Sequence, residues 1–172
     1  MRARLTTLQT ILDKLELFPE SPTVSTGVPA NASAAFDGLD LHPRIAETAT
    51  ESYRHGHHAE AVFAASKALV NYVRERSGRD DLDGAALMRT VFSRQSPILA
   101  FNTLKDQTDG TLKDQTDGDE QEGMMHLLEG AVLAIRNPGG HDFPQLSPQR
   151  AAEYIALLNL LANRVKEAKK RP

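Results

Sequence analysis

Cysteine is absent from this 172-residue chain, and aromatic residues make up only 5% of it. The first absence excludes disulfides, thiol nucleophiles and cysteine-based zinc sites, and it suits a cytoplasmic protein. The second, beside many alanines and leucines, favours helices over sheets. No apolar run approaches the roughly 20 residues that span a bilayer, so no membrane partner is expected. The opening "MRARLTTLQTILDKLELF" has basic residues first, yet Asp13 and Glu16 interrupt what would be the apolar centre of a signal peptide. A strong charge of one sign is missing too. The formal net charge of -3 argues against a protein that coats nucleic acid generally, and it confines any RNA site to a local positive cleft.

What is present is the composition of a folded domain, 40% hydrophobic and 25% charged, with an accessory arm. Leu5, Leu8, Leu12 and Leu15 recur at spacings of three and four, which predicts an amphipathic helix over residues 1–18. The stretch "PESPTVSTGVPANASAAFDG" has three prolines, small polar residues and no helical stripe, so residues 19–40 read as a linker. The main domain, 41–172, reads as an all-α bundle. Helices are predicted over 43–55 with Ile45, Ala49 and Ser52 on one side, and over 58–76 with Val62, Ala65, Leu69 and Tyr72. Another is predicted over 83–94 with Leu87, Met88, Val91 and Phe92, stopped by Pro97. The next spans 119–137, with Asp119 as N-cap, Glu122 completing a capping box, and Met124, Leu127, Leu128, Ala131 and Ile135 facing inward. The last, 148–168, is started by Ser147 and Pro148 and carries Tyr154, Leu158, Leu161 and Val165.

The octapeptide "TLKDQTDG" occurs at 103–110 and again, unchanged, at 111–118. An eight-residue step rotates by about 80° around an α-helix, so two copies in one helix present different faces. On an extended strand they would match, and Asp109-Gly110 suits a hairpin turn. Each copy offers one leucine to a core, so the prediction is a long solvent-exposed loop. If repeat number tunes the protein, a one-copy version folds equally well but differs in activity or dimer geometry. Assays in which the two forms act alike refute that idea.

The segment "AIRNPGGHDF", 134–143, carries the chemistry. Pro138 is expected to end the preceding helix and to push Asn137 out of helical geometry, while Gly139 and Gly140 permit a tight turn. That turn would carry His141 back over the helix end, within reach of Arg136 on the last turn, where the macrodipole favours a cation. A guanidinium binds phosphate oxygens through a fork of donors, and an imidazole exchanges protons near neutral pH, so the pair suits a phosphodiester. Alone, an arginine and a histidine at this spacing form a weak pattern that more often marks a helix C-cap with a surface histidine.

Together with "SYRHGHHAEAVFAASKAL", "PILAFN" and "EQEGMMHLLEGAVLAIRNPGGH", the motif resembles the R-x4-6-H signature of the HEPN superfamily, and within it the Ymh-type family. The resemblance covers roughly residues 41 to 165. It implies an α-helical homodimer whose two motifs share a cleft and cut RNA without metal or other cofactor. Arg136 would orient the phosphate and stabilise transition-state charge, His141 would act as general acid or base, and Asn137 would position one of them. The products would be a 2′,3′-cyclic phosphate and a 5′-hydroxyl. Toxin, abortive-infection or antiviral-defence roles, with a neutralising antitoxin partner, belong to the same resemblance. The sequence departs from it in the doubled octapeptide ahead of the motif helix, and no tyrosine follows His141 closely.

"RHGHHAE", 54–60, concentrates three histidines, but only His57 and Glu60 form a helical pair, so a polar interhelical turn is expected in preference to a metal site. The basic end "RVKEAKKRP" reads as a solvated helix terminus that could touch RNA phosphates. Two non-enzymatic alternatives stand beside the ribonuclease. One is a catalytically silent HEPN-like dimerisation or nucleotide-binding module. The other is a helical adaptor that holds a partner through the leucine stripe of residues 1–18.

Overall fold

The computed structural model describes residues 30–101, 112–139 and 145–171. Six helices and a two-stranded ladder make up the described chain, in the order α1 (Ala30–Asp37), α2 (Pro43–Arg54), α3 (His58–Ser77), α4 (Gly84–Val91), β1 (Leu99–Ala100), α5 (Leu112–Ala131), α6 (Pro148–Glu167) and β2 (Lys169–Lys170). A wider π-helical turn, Val132–Arg136, continues α5 into a last turn at Asn137–Gly139. The all-α expectation is met. The helices predicted for the main domain, apart from the start of α5, lie where the periodicity puts them, and α3 is the central one, packed by α2, α4, α6 and the π turn.

Local chemistry explains the boundaries. His42 caps α2 by accepting the Arg44 amide on Nδ1 at 3.3 Å, and Pro43 fills the first helical position. Ile45, Ala49 and Tyr53, four apart, are then buried. Gly78, at φ 76°, ends α3 in the left-handed conformation that glycine adopts without steric cost, and donates its amide to the Arg74 carbonyl. Ser147 opens α6 by accepting the Arg150 amide at 3.2 Å. Phe92, Ile45, Leu69, Leu87 and Leu158 are among the largest fully buried side chains, each contributing about 1.5–3 kcal/mol of transfer free energy. One polar side chain joins them. Gln121 is fully buried, donates to the Phe92 and Leu99 carbonyls at 3.1 Å, and accepts the Phe101 amide at 3.0 Å.

Several expectations need correction. Helix α1 lies inside the stretch read as linker, because Phe36 stacks on Tyr53 at 3.9 Å and is 2% exposed; burying that ring outweighs a weak local helical signal. Helix α5 begins at Leu112, so much of the second octapeptide copy is helical rather than a loop or strand. Asp119 and Glu122 are therefore interior to α5, and instead of capping it they pair with Arg94 at 3.1 and 2.5 Å. Gly118 permits this: a Cβ there would meet the Arg94 guanidinium at 3.1 Å. Leu127 is 52% exposed, since α5 packs through Leu128, Ala131, Val132 and Ile135, on the side facing α3 and α4. Residues 1–18, the linker up to residue 29, the first octapeptide copy and its Asp109-Gly110 pair lie outside the described residues.

Two histidines give the fold an acid limit. Burial lowers the pKa of His42, helped by the nearby charges of Lys166 and Arg44, and burial with the neighbouring His57 lowers that of His58. In the unfolded chain both titrate near 6.5. Below that pH the unfolded chain binds protons that the folded chain refuses, so this stability is fully present above about 6.5 and is lost as the pH falls through the lowered values. Urea midpoints are expected to be flat from pH 8 to 7 and to fall below about 6.5. His42→Asn, which keeps a capping acceptor without a titrating ring, should flatten part of that fall. A midpoint that rises on acidification contradicts the assignment.

Candidate functional site: an arginine pair around Asp83

The end of α5 is built around a proline. In a regular α-helix the ring of Pro138 would crowd the carbonyl of Ala134, four residues back. The chain avoids this by widening into the π turn, in which the Asn137 amide reaches the Val132 carbonyl, five residues away. Asn137 consequently keeps helical geometry, φ −66° and ψ −48°, contrary to the expectation that Pro138 would expel it. The widened turn buries Val132 and Ile135 and leaves Arg136 partly exposed beside them. Asn137 is exposed.

Arg136 is held from a distant part of the chain. Its Nη2 donates to Asp83 Oδ2 at 2.9 Å, while Arg74 Nη2 donates to Asp83 Oδ1, also at 2.9 Å. Asp83 precedes α4 in an extended conformation, and Gly84 follows at φ 57°, a turn that glycine makes readily. Arg74, on the last turn of α3, is fixed further by the Leu82 carbonyl at 3.3 Å and the Asn71 side chain at 3.1 Å. Partial burial raises the Asp83 carboxyl, but the Gly84 amide, Arg136 and Arg74 together hold it below the usual carboxylate range. The carboxylate is thus ionised at neutral pH between two guanidinium groups, and the trio keeps one net positive charge. Among the described residues, Nε and Nη1 of Arg136 make no further hydrogen bond. The N–H groups of Nε and Nη1 remain for an anion.

His141 lies outside the described residues, so of the three residues singled out by the motif the structure places Arg136 and Asn137. Asp83 and Arg74 were missed by sequence reasoning. Asp83 is 53 residues from Arg136, and no local pattern links them. The aspartate before a glycine at a helix start was the one available signal, and it predicts a cap rather than an arginine anchor.

The histidine turn forms a concavity of its own. A cavity of about 340 Å³ is lined by Gly56, His57, His58, Ala59, Glu60, Gln145 and Leu146. His57 Nδ1 pairs with Glu60 at 3.2 Å, the helical pair the spacing predicted. His58 packs edge-on against Tyr53, and its buried Nε2 has no partner among the described residues. Among the described residues no three side chains of metal-binding type converge, here or elsewhere. No helix of the described residues is long and apolar enough to cross a membrane.

No curated protein and no solved structure matches the chain. A family model described as "Protein of unknown function (Hypoth_ymh)" matches residues 39–165, a span that begins just after α1, takes in Asp83, Arg74 and the whole arginine-to-histidine motif, and ends near the close of α6. The chain therefore belongs to the Hypoth_ymh family.

Proposed function

We propose that this protein is a HEPN-type endoribonuclease that works as a homodimer and needs no metal ion. The observation that carries the reading is the state of Arg136: anchored through Nη2 by Asp83, with Nε and Nη1 left on a partly exposed guanidinium next to Asn137. An anchored guanidinium binds phosphate with less loss of side-chain freedom than a free one. In the proposed reaction the ribose 2′-oxygen attacks phosphorus and the P–O5′ bond breaks. One histidine accepts the 2′-hydroxyl proton and the partner's equivalent supplies a proton to the departing 5′-oxygen. Arg136 stabilises the charge on the non-bridging oxygens, and Asn137 orients phosphate or imidazole. These two functions, charge stabilisation and proton transfer, are the ones a metal ion would otherwise supply. A toxin or phage-defence role, restrained by an antitoxin, fits an enzyme of this kind.

A second reading follows from the same contact. Asp83 already occupies part of Arg136, which suits a catalytically silent dimerisation or nucleotide-binding module. Purified protein incubated with RNA in EDTA separates the two. Cleavage leaving 2′,3′-cyclic phosphate and 5′-hydroxyl ends, lost in His141→Ala, supports the nuclease. Intact RNA with retained nucleotide binding supports the silent module.

A further inference from the structure

The basic terminus is not the solvated helix end that its composition predicts. Helix α6 stops at Glu167, and Ala168, 2% exposed and extended at φ −61° and ψ 140°, turns the chain into β2. There Lys170 pairs with Leu99 and Lys169 with Ala100, and the Arg171 amide donates to the Ile98 carbonyl at 2.9 Å. The backbone under three consecutive cations is thereby fixed, while Lys169, Lys170 and Arg171 all remain exposed. Arg76, on the last turn of α3, joins them by donating to the Ala168 carbonyl. Lys170 reaches over the same helix end, its Nζ 3.4 Å from where a Cβ on Gly78 would be. Among the described residues, Arg76, Lys169 and Lys170 have no acidic partner, whereas neighbouring Arg79 and Arg164 are neutralised by Asp81 and by Glu120 and Glu167. A chain of net charge -3 therefore gathers the uncompensated positive charge of Arg76, Lys169 and Lys170 on one ridge with a paired backbone.

We propose that this ridge, Arg76 with Lys169 and Lys170, is a docking surface for the phosphate backbone of single-stranded RNA. The inference rests on the ribonuclease reading, which makes RNA the substrate, and adds where the strand is held away from the reacting bond. The last turn of α3 connects the two places: Arg74 faces Asp83 and Arg136, and Arg76 faces Ala168 and β2. Two residues apart on a helix, Arg74 and Arg76 point to opposite sides of that turn, so Arg136 and the ridge flank the same end of α3. Fixed lysines bind an anionic chain with less ordering cost than lysines on a frayed helix end. The simpler role, in which Lys170 offsets the negative end of the α3 dipole, affects stability and leaves RNA affinity unchanged.

The test uses the full chain and a single-stranded 2′-O-methyl RNA oligonucleotide, which binds but lacks the attacking hydroxyl. Kd is measured by fluorescence anisotropy over a range of salt for wild type, for Lys169→Gln/Lys170→Gln, and for Lys67→Gln as an exposed control. The double variant is expected to bind roughly tenfold more weakly at low salt, with the slope of log K against log salt reduced by about 0.7 for each lost phosphate contact. Lys67→Gln should match wild type. On cleavable RNA the double variant should raise KM and leave kcat unchanged. Equal Kd and equal slope in wild type and double variant overturn the ridge, as does a wild type that binds anionic lipid vesicles or heparin but no RNA. Cleavage with KM unmoved overturns it while sparing the nuclease. Ridge-dependent binding without cleavage of ordinary RNA upholds it and defeats the nuclease.

Discussion

Arg136→Ala is expected to lower kcat for RNA cleavage by about 10²–10³, the usual cost of removing one donor from transition-state charge stabilisation. Its fold should survive. Asp83 would keep the Arg74 contact at 2.9 Å, and the pair lost is a partly exposed one, worth about 1 kcal/mol or less. Arg136→Lys is the sharper variant, because an ammonium keeps the charge but cannot present two coplanar donors to phosphate while holding Asp83 with another. It should recover little of the lost rate. If the residue only bound substrate uniformly, KM would rise with kcat unchanged, so single-turnover rates at saturating RNA decide the matter. An alanine variant that is folded by circular dichroism and cuts at the wild-type rate removes Arg136 from the mechanism.

Gln121→Leu is expected to cause the largest loss of stability. Its amide satisfies the Phe92 and Leu99 carbonyls and the Phe101 amide, all in a fully buried setting where α4, β1 and α5 meet. Leucine fills similar space but leaves those groups without a partner, at about 1–3 kcal/mol each. The sum is reduced where water enters, so a net loss of about 3–5 kcal/mol and a fall in Tm of roughly 10 °C are expected by calorimetry. The site itself should be undisturbed at low temperature, because Gln121 lies about 22 Å along the helix axis from Arg136. A fall in Tm below about 3 °C would show that the three backbone groups find other partners.

Much of the helical framework was legible in the sequence because it depends on short-range periodicity. Ile45 and Ala49, Val62, Ala65 and Leu69, and Leu158, Leu161 and Val165 recur at helical spacing and are buried accordingly. The failures share a cause. Leu127 carries the same spacing signal as Leu128, and only the placement of α3 and α4 decides which of the two is covered. Asp119 and Glu122 form a valid capping pattern, yet the polar octapeptide ahead of them extends the helix, and Arg94 from another segment takes both carboxylates. At the candidate site, the sequence marked Arg136 and Asn137 by their place before a proline-glycine bend, but Asp83 and Arg74 carry no such mark.

The sequence by itself determined the family, the helical periods, and the arginine, asparagine and histidine set beside a proline. Each is a property of residues near one another in the chain, or of their order along it. Tertiary structure alone decided which carboxylate holds Arg136, that a π turn rather than a break accommodates Pro138, and that the final cations lie on a pinned strand. Those outcomes are set by contacts across 53 residues in the first case and by the pairing of Lys170 with Leu99 in the last. Only the packed bundle brings such groups within hydrogen-bond range, where the geometry of a single contact outweighs local preference.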